Sequence, residues 1–217
     1  MKTWLQTLPT TVLAAALLLA AAPAARAQKA GTKRPVFAEA GLGFNKTIYF
    51  GDTRAQLRQA LGGSAPAGSG NNILAGFYVA PEKWRGLGLG SRMCGSFGAP
   101  VRGDFGDEYI FNYYNVALAA KYYALSREFG RGLYARGSVG FGQFTAKRFD
   151  EETTFYRHQY ALGTSLMAGL GYSLPLKGFS LSLETEFESA SRSGTVDRLG
   201  SRTFRSGQVG ANLIMGF

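Results

Sequence analysis

One histidine and one cysteine bound the side-chain chemistry open to this chain of 217 residues. His158, in "FYRHQY", is the one side chain whose unperturbed pKa suits proton transfer near neutral pH. It stands where an alternating segment meets a polar stretch, a place where histidine is ordinarily an interfacial polar group and not a general base. Cys94 has no histidine near it in the pattern and reads as a small space-filling residue, not a nucleophile. Asp150 to Glu152, and Asp104, Asp107 and Glu108, are clusters of hard oxygen donors able to take a divalent cation. They read more simply as solvated acidic loops. The expectation is a protein with no catalytic residue, no cofactor and no metal. What remains is a row of carboxylates in "FSLSLETEFES", where Glu184, Glu186 and Glu188 recur at every second position.

That spacing decides the element. On a helix the three glutamates would scatter around the axis, whereas on a strand they share one face. Phe179, Leu181, Leu183, Thr185 and Phe187 then take the other. The same alternation returns along the chain about eight times. Val36 to Asn45, Asn72 to Ala80, Leu87 to Phe97, Tyr109 to Leu125, Leu133 to Thr145, Tyr160 to Leu174 and the last segment from Gln208 each set apolar side chains against glycine or polar ones. A single such segment is a weak signal, and a series of them is a strong one. The non-apolar faces gather Glu39, Arg92, Lys121 and Arg136 with the three glutamates. Burial of these charges requires pairing. Arg92, Lys121 and Arg136 are therefore expected to meet the ladder of Glu184, Glu186 and Glu188, with lumen glycines leaving room for the long side chains. "GLGLG" (Gly86 to Gly90) belongs to such a face, because the helix and spacing of a nucleotide-binding turn are missing.

The connections alternate as well. Pro81 to Gly86, Ser126 to Gly132 and Pro175 to Gly178 read as short turns. Lys46 to Asn71, Gly98 to Glu108, Arg148 to Gln159 and Ser193 to Ser201 read as longer, polar loops. The first of these holds a candidate helix, Thr53 to Leu61, and a flexible "SAPAGSG". Tyr49, Phe50, Phe105, Tyr109, Phe155, Tyr156 and Tyr160 flank the long loops, and Trp84, Phe129, Tyr134 and Phe217 mark the short-turn side. Two such groups suit the aromatic girdles of a membrane-spanning barrel. Arginines on the long-loop side, Arg54, Arg58, Arg102, Arg148, Arg157, Arg198, Arg202 and Arg205, suit either lipid phosphates or plain solvation.

The ends of the sequence fix the compartment expected. Lys2 precedes an apolar run from Val12 to Ala22, too short for a membrane-spanning helix, which needs about 20 residues. Ala25 and Ala27 flank Arg26 in the small-x-small pattern of a signal-peptidase site. Residues 1–27 are expected to be a cleaved signal peptide, 28–34 a short periplasmic segment, and 35–217 one barrel domain. A lone cysteine excludes an internal disulfide framework. The net charge of +10 is assigned to anionic lipid headgroups, not nucleic acid, because an exported protein seldom meets the latter.

The last strand, "QVGANLIMGF", puts Val209, Ala211, Leu213, Met215 and Phe217 on one face and ends on an aromatic. This looks like the insertion signal of bacterial outer-membrane barrels. In strand pattern, loop alternation and terminus the chain resembles small eight-stranded barrels of the OmpA/OmpX type, without the periplasmic peptidoglycan-binding domain. The resemblance implies a closed, antiparallel, up-and-down transmembrane β-barrel with eight strands, short periplasmic turns and longer extracellular loops. It also implies an outer-membrane location, and lipid and lipopolysaccharide as surroundings. Periplasmic chaperones and the barrel-insertion machinery would be partners during biogenesis, with a monomer as the product. Some barrels of this size are lipid-modifying enzymes that pair a histidine with a serine and an acid, but two residues after His158 stands Tyr160. A non-enzymatic structural or surface-interaction role with a side-chain-plugged lumen is the leading expectation. A small porin-like channel and a lipid-modifying enzyme are the alternatives. A soluble sandwich or lipocalin-like barrel would instead turn the apolar rows inward and the glycines and charges to water. Periodicity alone does not say which face is outward, and the signal peptide and the terminus decide for the membrane.

Overall fold

The computed structural model describes residues 35–61, 68–102, 108–149, 156–196 and 200–217. Its strands are β1 (Val36–Tyr49), β2 (Gly68–Val79), β3 (Leu87–Gly98), the two-residue β4 (Val101–Arg102), β5 (Glu108–Tyr122), β6 (Gly132–Phe149), β7 (Tyr156–Leu176), β8 (Phe179–Val196) and β9 (Gly200–Gly216). All pairings are antiparallel. The sheet closes where β1 meets β9 and β3 meets β5, while β4 is a short flap on the end of β5 outside the ring. The result is an eight-stranded up-and-down barrel. Closure satisfies every strand edge, which hydrocarbon demands because an unpaired backbone group there costs several kcal/mol.

The two faces of that sheet are inverted relative to a water-soluble barrel. Outward rows carry Leu42, Phe44, Val116, Leu118, Leu166, Leu170, Leu183 and Leu213, with Phe44 at 74% and Leu118 at 71% exposure. Inward rows carry arginine, lysine and glutamate, with Arg92 at 1% and Glu184 at 0%. An apolar exterior around a charged interior has its lowest free energy in a bilayer, so the barrel is transmembrane.

Strand length then sets how far the barrel stands out of the membrane. Crossing takes about 9–11 residues. By contrast β7 has 21, and β6 and β8 have 18 each. The surplus lies at the long-connection end. There the outward face turns polar, with Ser189, Ser191 and Ser193 on β8 and Thr203 and Arg205 on β9 all exposed. All four segments expected to be long loops are partly strand. The β8–β9 ladder continues to Val196↔Gly200, inside the expected loop from Ser193 to Ser201. The β6–β7 ladder continues to Phe149↔Tyr156, inside the one from Arg148 to Gln159. Above the apolar belt the sequence loses its alternation, but backbone pairing needs none.

The expected helix forms as α1 (Gly51–Leu61), two residues longer at its start than the sequence indicates. Gly51 has φ +52°, which turns the chain from β1 into the helix. Asp52 in the first turn and Arg58 in the last oppose the ends of the helix dipole. The helix lies against β9, where Thr53 Oγ1 accepts from the Arg205 backbone N–H at 2.9 Å. Of "SAPAGSG", Gly68 to Gly70 are strand, paired with Asn45 to Thr47. The rest of that stretch falls outside the described residues, as do the expected signal peptide and the segment 28–34. At the other end the connections are tight. One 3₁₀ turn (Glu82–Trp84) joins β2 to β3, and Lys177 and Gly178 alone join β7 to β8.

Candidate functional site in the barrel lumen

The register of β8 points Glu184, Glu186 and Glu188 inward, and opposing strands supply the cations. Arg92 from β3 reaches Glu184 at 2.9 Å and Glu186 at 2.6 Å. Arg136 from β6 reaches the same two carboxylates at 3.0 and 2.5 Å. Tyr134 donates its hydroxyl to Glu184 Oε2 at 3.0 Å. Two guanidiniums and two carboxylates thus form one cluster across the middle of the lumen. Each ion has more than one counter-ion, the condition under which buried charge is tolerated. Glycines make the space. A Cβ at Gly169 would lie 3.1 Å from Arg136 Nη2, and one at Gly171 would lie 2.5 Å from the Tyr134 hydroxyl.

Two members of the expected ladder pair elsewhere. Lys121 does not reach the β8 glutamates as its ion-pair partner; it binds Glu39 of β1 at 2.5 Å. Its ammonium also sits over the rings of Tyr134 (4.5 Å) and Tyr78 (5.2 Å). Glu188 binds Arg192, four residues along its own strand, at 2.6 Å. Arg192 is 1% exposed, a lumen cation that the alternation of the sequence does not single out. Its even position, continuing 184, 186 and 188, is the signal that could have found it. With it, the buried acids Glu39, Glu184, Glu186 and Glu188 are balanced by Arg92, Lys121, Arg136 and Arg192.

Above and below this charged waist the lumen is filled by rings. Toward the short turns, Phe129 swings in from the β5–β6 connection. It packs on Phe37, Tyr78 and Tyr123 at centroid distances of 4.7, 5.6 and 5.1 Å. Gly88 admits it, since any Cβ there would collide with the ring. Toward the long connections, Tyr49 and Tyr113 share a hydroxyl hydrogen bond of 2.6 Å. Phe144 stacks on Phe111 and packs against Phe204 at 5.6 and 5.7 Å. Leu57 of α1, 1% exposed, joins this cluster from above. Several aromatics expected in interfacial girdles are therefore internal: Tyr49 and Tyr109 at one end, Phe129 and Tyr134 at the other. Strand parity overrides proximity to a loop, because Tyr49 shares the inward row of Asn45 and Thr47. Phe50 and Tyr160 do remain on the exterior. Phe105 and Phe155 lie outside the described residues, as does the side chain of Tyr156.

The remaining candidate residues are distributed as follows. Val209, Ala211 and Leu213 point outward and are exposed, while Met215 and Phe217 are half-buried. Phe217 is tied to β1 by paired backbone hydrogen bonds with Ala38 of 2.8 and 3.1 Å. Cys94 is a free thiol, half-buried on an inward row. His158 lies on β7, but its side chain falls outside the described residues. So do Ala25 and Ala27, and the acidic stretches at 104–107 and 150–152. Among the described residues no group of three or more histidines, cysteines or carboxylates is arranged as metal ligands.

No protein-family model matches the chain, and no curated protein matches its sequence. Solved structures do match its fold. The attachment invasion locus protein Ail of Yersinia pestis, in complex with the heparin analogue sucrose octasulfate, superposes with a TM-score of 0.51 at 12% identity. That match covers 84% of this chain and 97% of Ail. Neisserial surface protein A matches with a TM-score of 0.52 at 11% identity, again over 84% of this chain and 97% of the other. The chain is thus similar in fold to small outer-membrane barrels.

Proposed function

We propose that this chain is a non-enzymatic integral protein of the bacterial outer membrane whose lumen is a structural plug and whose working surface is the part that stands above the bilayer. The observation that carries the reading is the filled lumen. A balanced set of buried ion pairs spans its middle, and aromatic clusters close it toward both ends. An eight-stranded barrel is only about wide enough for its own side chains. Here those side chains are locked by multiple contacts, so the lumen is a packed interior and not a conduit.

Several further assignments accompany that reading. Residues 1–27 would direct export, with cleavage after Ala27. The outward row of β9, from Val209 to Phe217, would be read by the barrel-insertion machinery after delivery by periplasmic chaperones. The exposed cations Lys46, Arg54, Arg58 and Arg205 at the long-connection end would face lipopolysaccharide phosphates. The product would be a monomer. The polar rims of β8 and β9 and helix α1 form the surface on which contacts with other molecules would be made.

Proteoliposome swelling tests the assignment. Vesicles carrying the folded barrel are expected to stay impermeable to arabinose-sized sugars, like protein-free vesicles. Swelling at a rate proportional to the protein inserted would replace this reading with that of a small channel.

A further inference from the structure

Two of the short connections, β2–β3 and β5–β6, share a backbone anomaly. Arg85 has φ +49° and Arg127 φ +53°, and among the described residues no others except glycines have a positive φ. That region crowds any Cβ and ordinarily falls to glycine or asparagine. A side chain kept there against strain marks a place where it serves more than the turn. The fold also sets the two arginines side by side. The Tyr123 N–H donates to the Gly86 carbonyl and the Arg127 N–H to the Tyr123 carbonyl, both at 3.1 Å. A Cβ on Gly86 would lie 3.0 Å from the carbonyl carbon of Arg127 and 3.1 Å from its Cα, so the Arg127 backbone rests on the neighbour of Arg85. Both arginines are exposed, and neither has an ion pair among the described residues. Two cations held together without a counter-ion repel each other.

Their surroundings say which anion would relieve this. Lys83, Arg131 and Lys177 of the short connections are exposed as well, and the acids there are Glu82 and Glu128. Glu128 is already taken by Arg131 at 3.6 Å. The short-turn end is thus cationic, whereas the lumen above it is balanced. Apolar groups flank the pair. Leu125, two residues before Arg127, is 79% exposed, and Leu89 and Tyr122 point outward. Trp84, next to Arg85, is half-buried. Such neighbours set the guanidiniums at the depth where acyl chains give way to headgroups. We infer that Arg85 and Arg127 form a site for the phosphate of an anionic phospholipid in the leaflet at the short-turn end, with Leu125 among its acyl chains. Guanidiniums take a phosphate through bidentate hydrogen bonds. A zwitterionic head is disfavoured, because its ammonium would meet the surplus of bases. The inference rests on the reading of the chain as a membrane-spanning barrel and not on whether its lumen conducts.

Trp84 reports on the site. The chain has two tryptophans, so in a Trp4→Phe background Trp84 alone fluoresces as one. The folded barrel is placed in phosphatidylcholine vesicles holding a minor fraction of brominated phosphatidylglycerol or, in parallel, of brominated phosphatidylcholine. Quenching of Trp84 then gives the relative association of the two lipids. Phosphatidylglycerol is expected to be preferred about fivefold. In the double variant Arg85→Asn, Arg127→Asn the ratio is expected to fall to about one. Asparagine tolerates a positive φ, so this variant should unfold at the same or a higher urea concentration than the native chain. Lys177→Gln, which removes a charge from the β7–β8 connection, should leave the preference nearly unchanged. Equal quenching by both lipids in the native barrel would overturn the inference. A loss in Lys177→Gln as large as in the double variant would do so too, since the charge would then act as a diffuse field. So would a lowered urea midpoint in the double variant, which would make the arginines braces of the turns. Arginine-dependent co-sedimentation with purified peptidoglycan, in a barrel that does not discriminate between the lipids, would assign the pair to the cell wall instead. The swelling assay above and this one fail independently, because quenching at the rim does not depend on passage through the lumen.

Discussion

The lumen closes itself in two different ways along its length. At the waist, ions from β3, β6 and β8 hold one another, with Arg92 and Arg136 each bridging Glu184 and Glu186. Toward the long connections the packing is apolar, with Leu57 of α1 set among Tyr49, Phe111, Phe144 and Phe204. The difference lies in what happens when one piece is removed. A ring or leucine leaves a cavity, which its neighbours partly collapse into. A buried carboxylate leaves two guanidiniums with half their counter-charge and no water to replace it. The waist should therefore fail as a unit, and the upper cluster piece by piece.

The largest expected effect follows from that asymmetry. Glu184→Ala should cost the barrel about 3–5 kcal/mol in urea unfolding from lipid vesicles, the range for breaking a buried pair. A loss below about 1 kcal/mol would mean the waist is hydrated and its charges independent. Next comes the exterior, where the rule inverts. Leu118→Arg, in the middle of the outward row of β5, should cost about 2–4 kcal/mol in the same assay, the figure for a cation near the bilayer midplane. An arginine is thus stabilised at position 92 and penalised at 118.

Those two positions also show how much of the barrel is legible in its sequence. Within the apolar belt, parity along each strand assigns a residue to lipid or lumen, because the two environments there differ sharply in polarity. That is enough for the fold, for the inward placement of Glu39, Arg92, Lys121 and Arg136, and for the outward row of Val209, Ala211 and Leu213. Partner choice lies beyond it. Lys121 pairs with Glu39, not the β8 glutamates, because contact across the lumen depends on how far the strands are staggered on closure, which no local pattern records. Arg192 escapes notice because it falls between the end of the alternating segment at Ser189 and the expected loop from Ser193. Tyr49 and Tyr134 read as interfacial because they sit near connections, although their parity points inward.

The upper cluster supplies the smaller tests. Leu57→Ala should cost about 2–3 kcal/mol, confined to the helix. The measurable outcome is faster protease cleavage within residues 51–61, with the heat-modifiable gel mobility of the barrel unchanged. Concerted unfolding of the whole barrel in this variant would erase the distinction between the two regions. Tyr49→Phe, which removes one hydroxyl from the pair with Tyr113, should lower stability by about 1 kcal/mol.

Electrical conductance is the most direct test of the central claim that the lumen is a plug. The folded barrel, verified by its mobility shift between unboiled and boiled samples, is inserted in a planar lipid bilayer and the current recorded under applied voltage. The expected trace is silent for the native protein, with discrete openings appearing only in Glu186→Gln or Arg136→Gln, where the waist is loosened. Regular single-channel steps from the native barrel, altered in amplitude by those same substitutions, would contradict the plug and make the buried ions the lining of a pore.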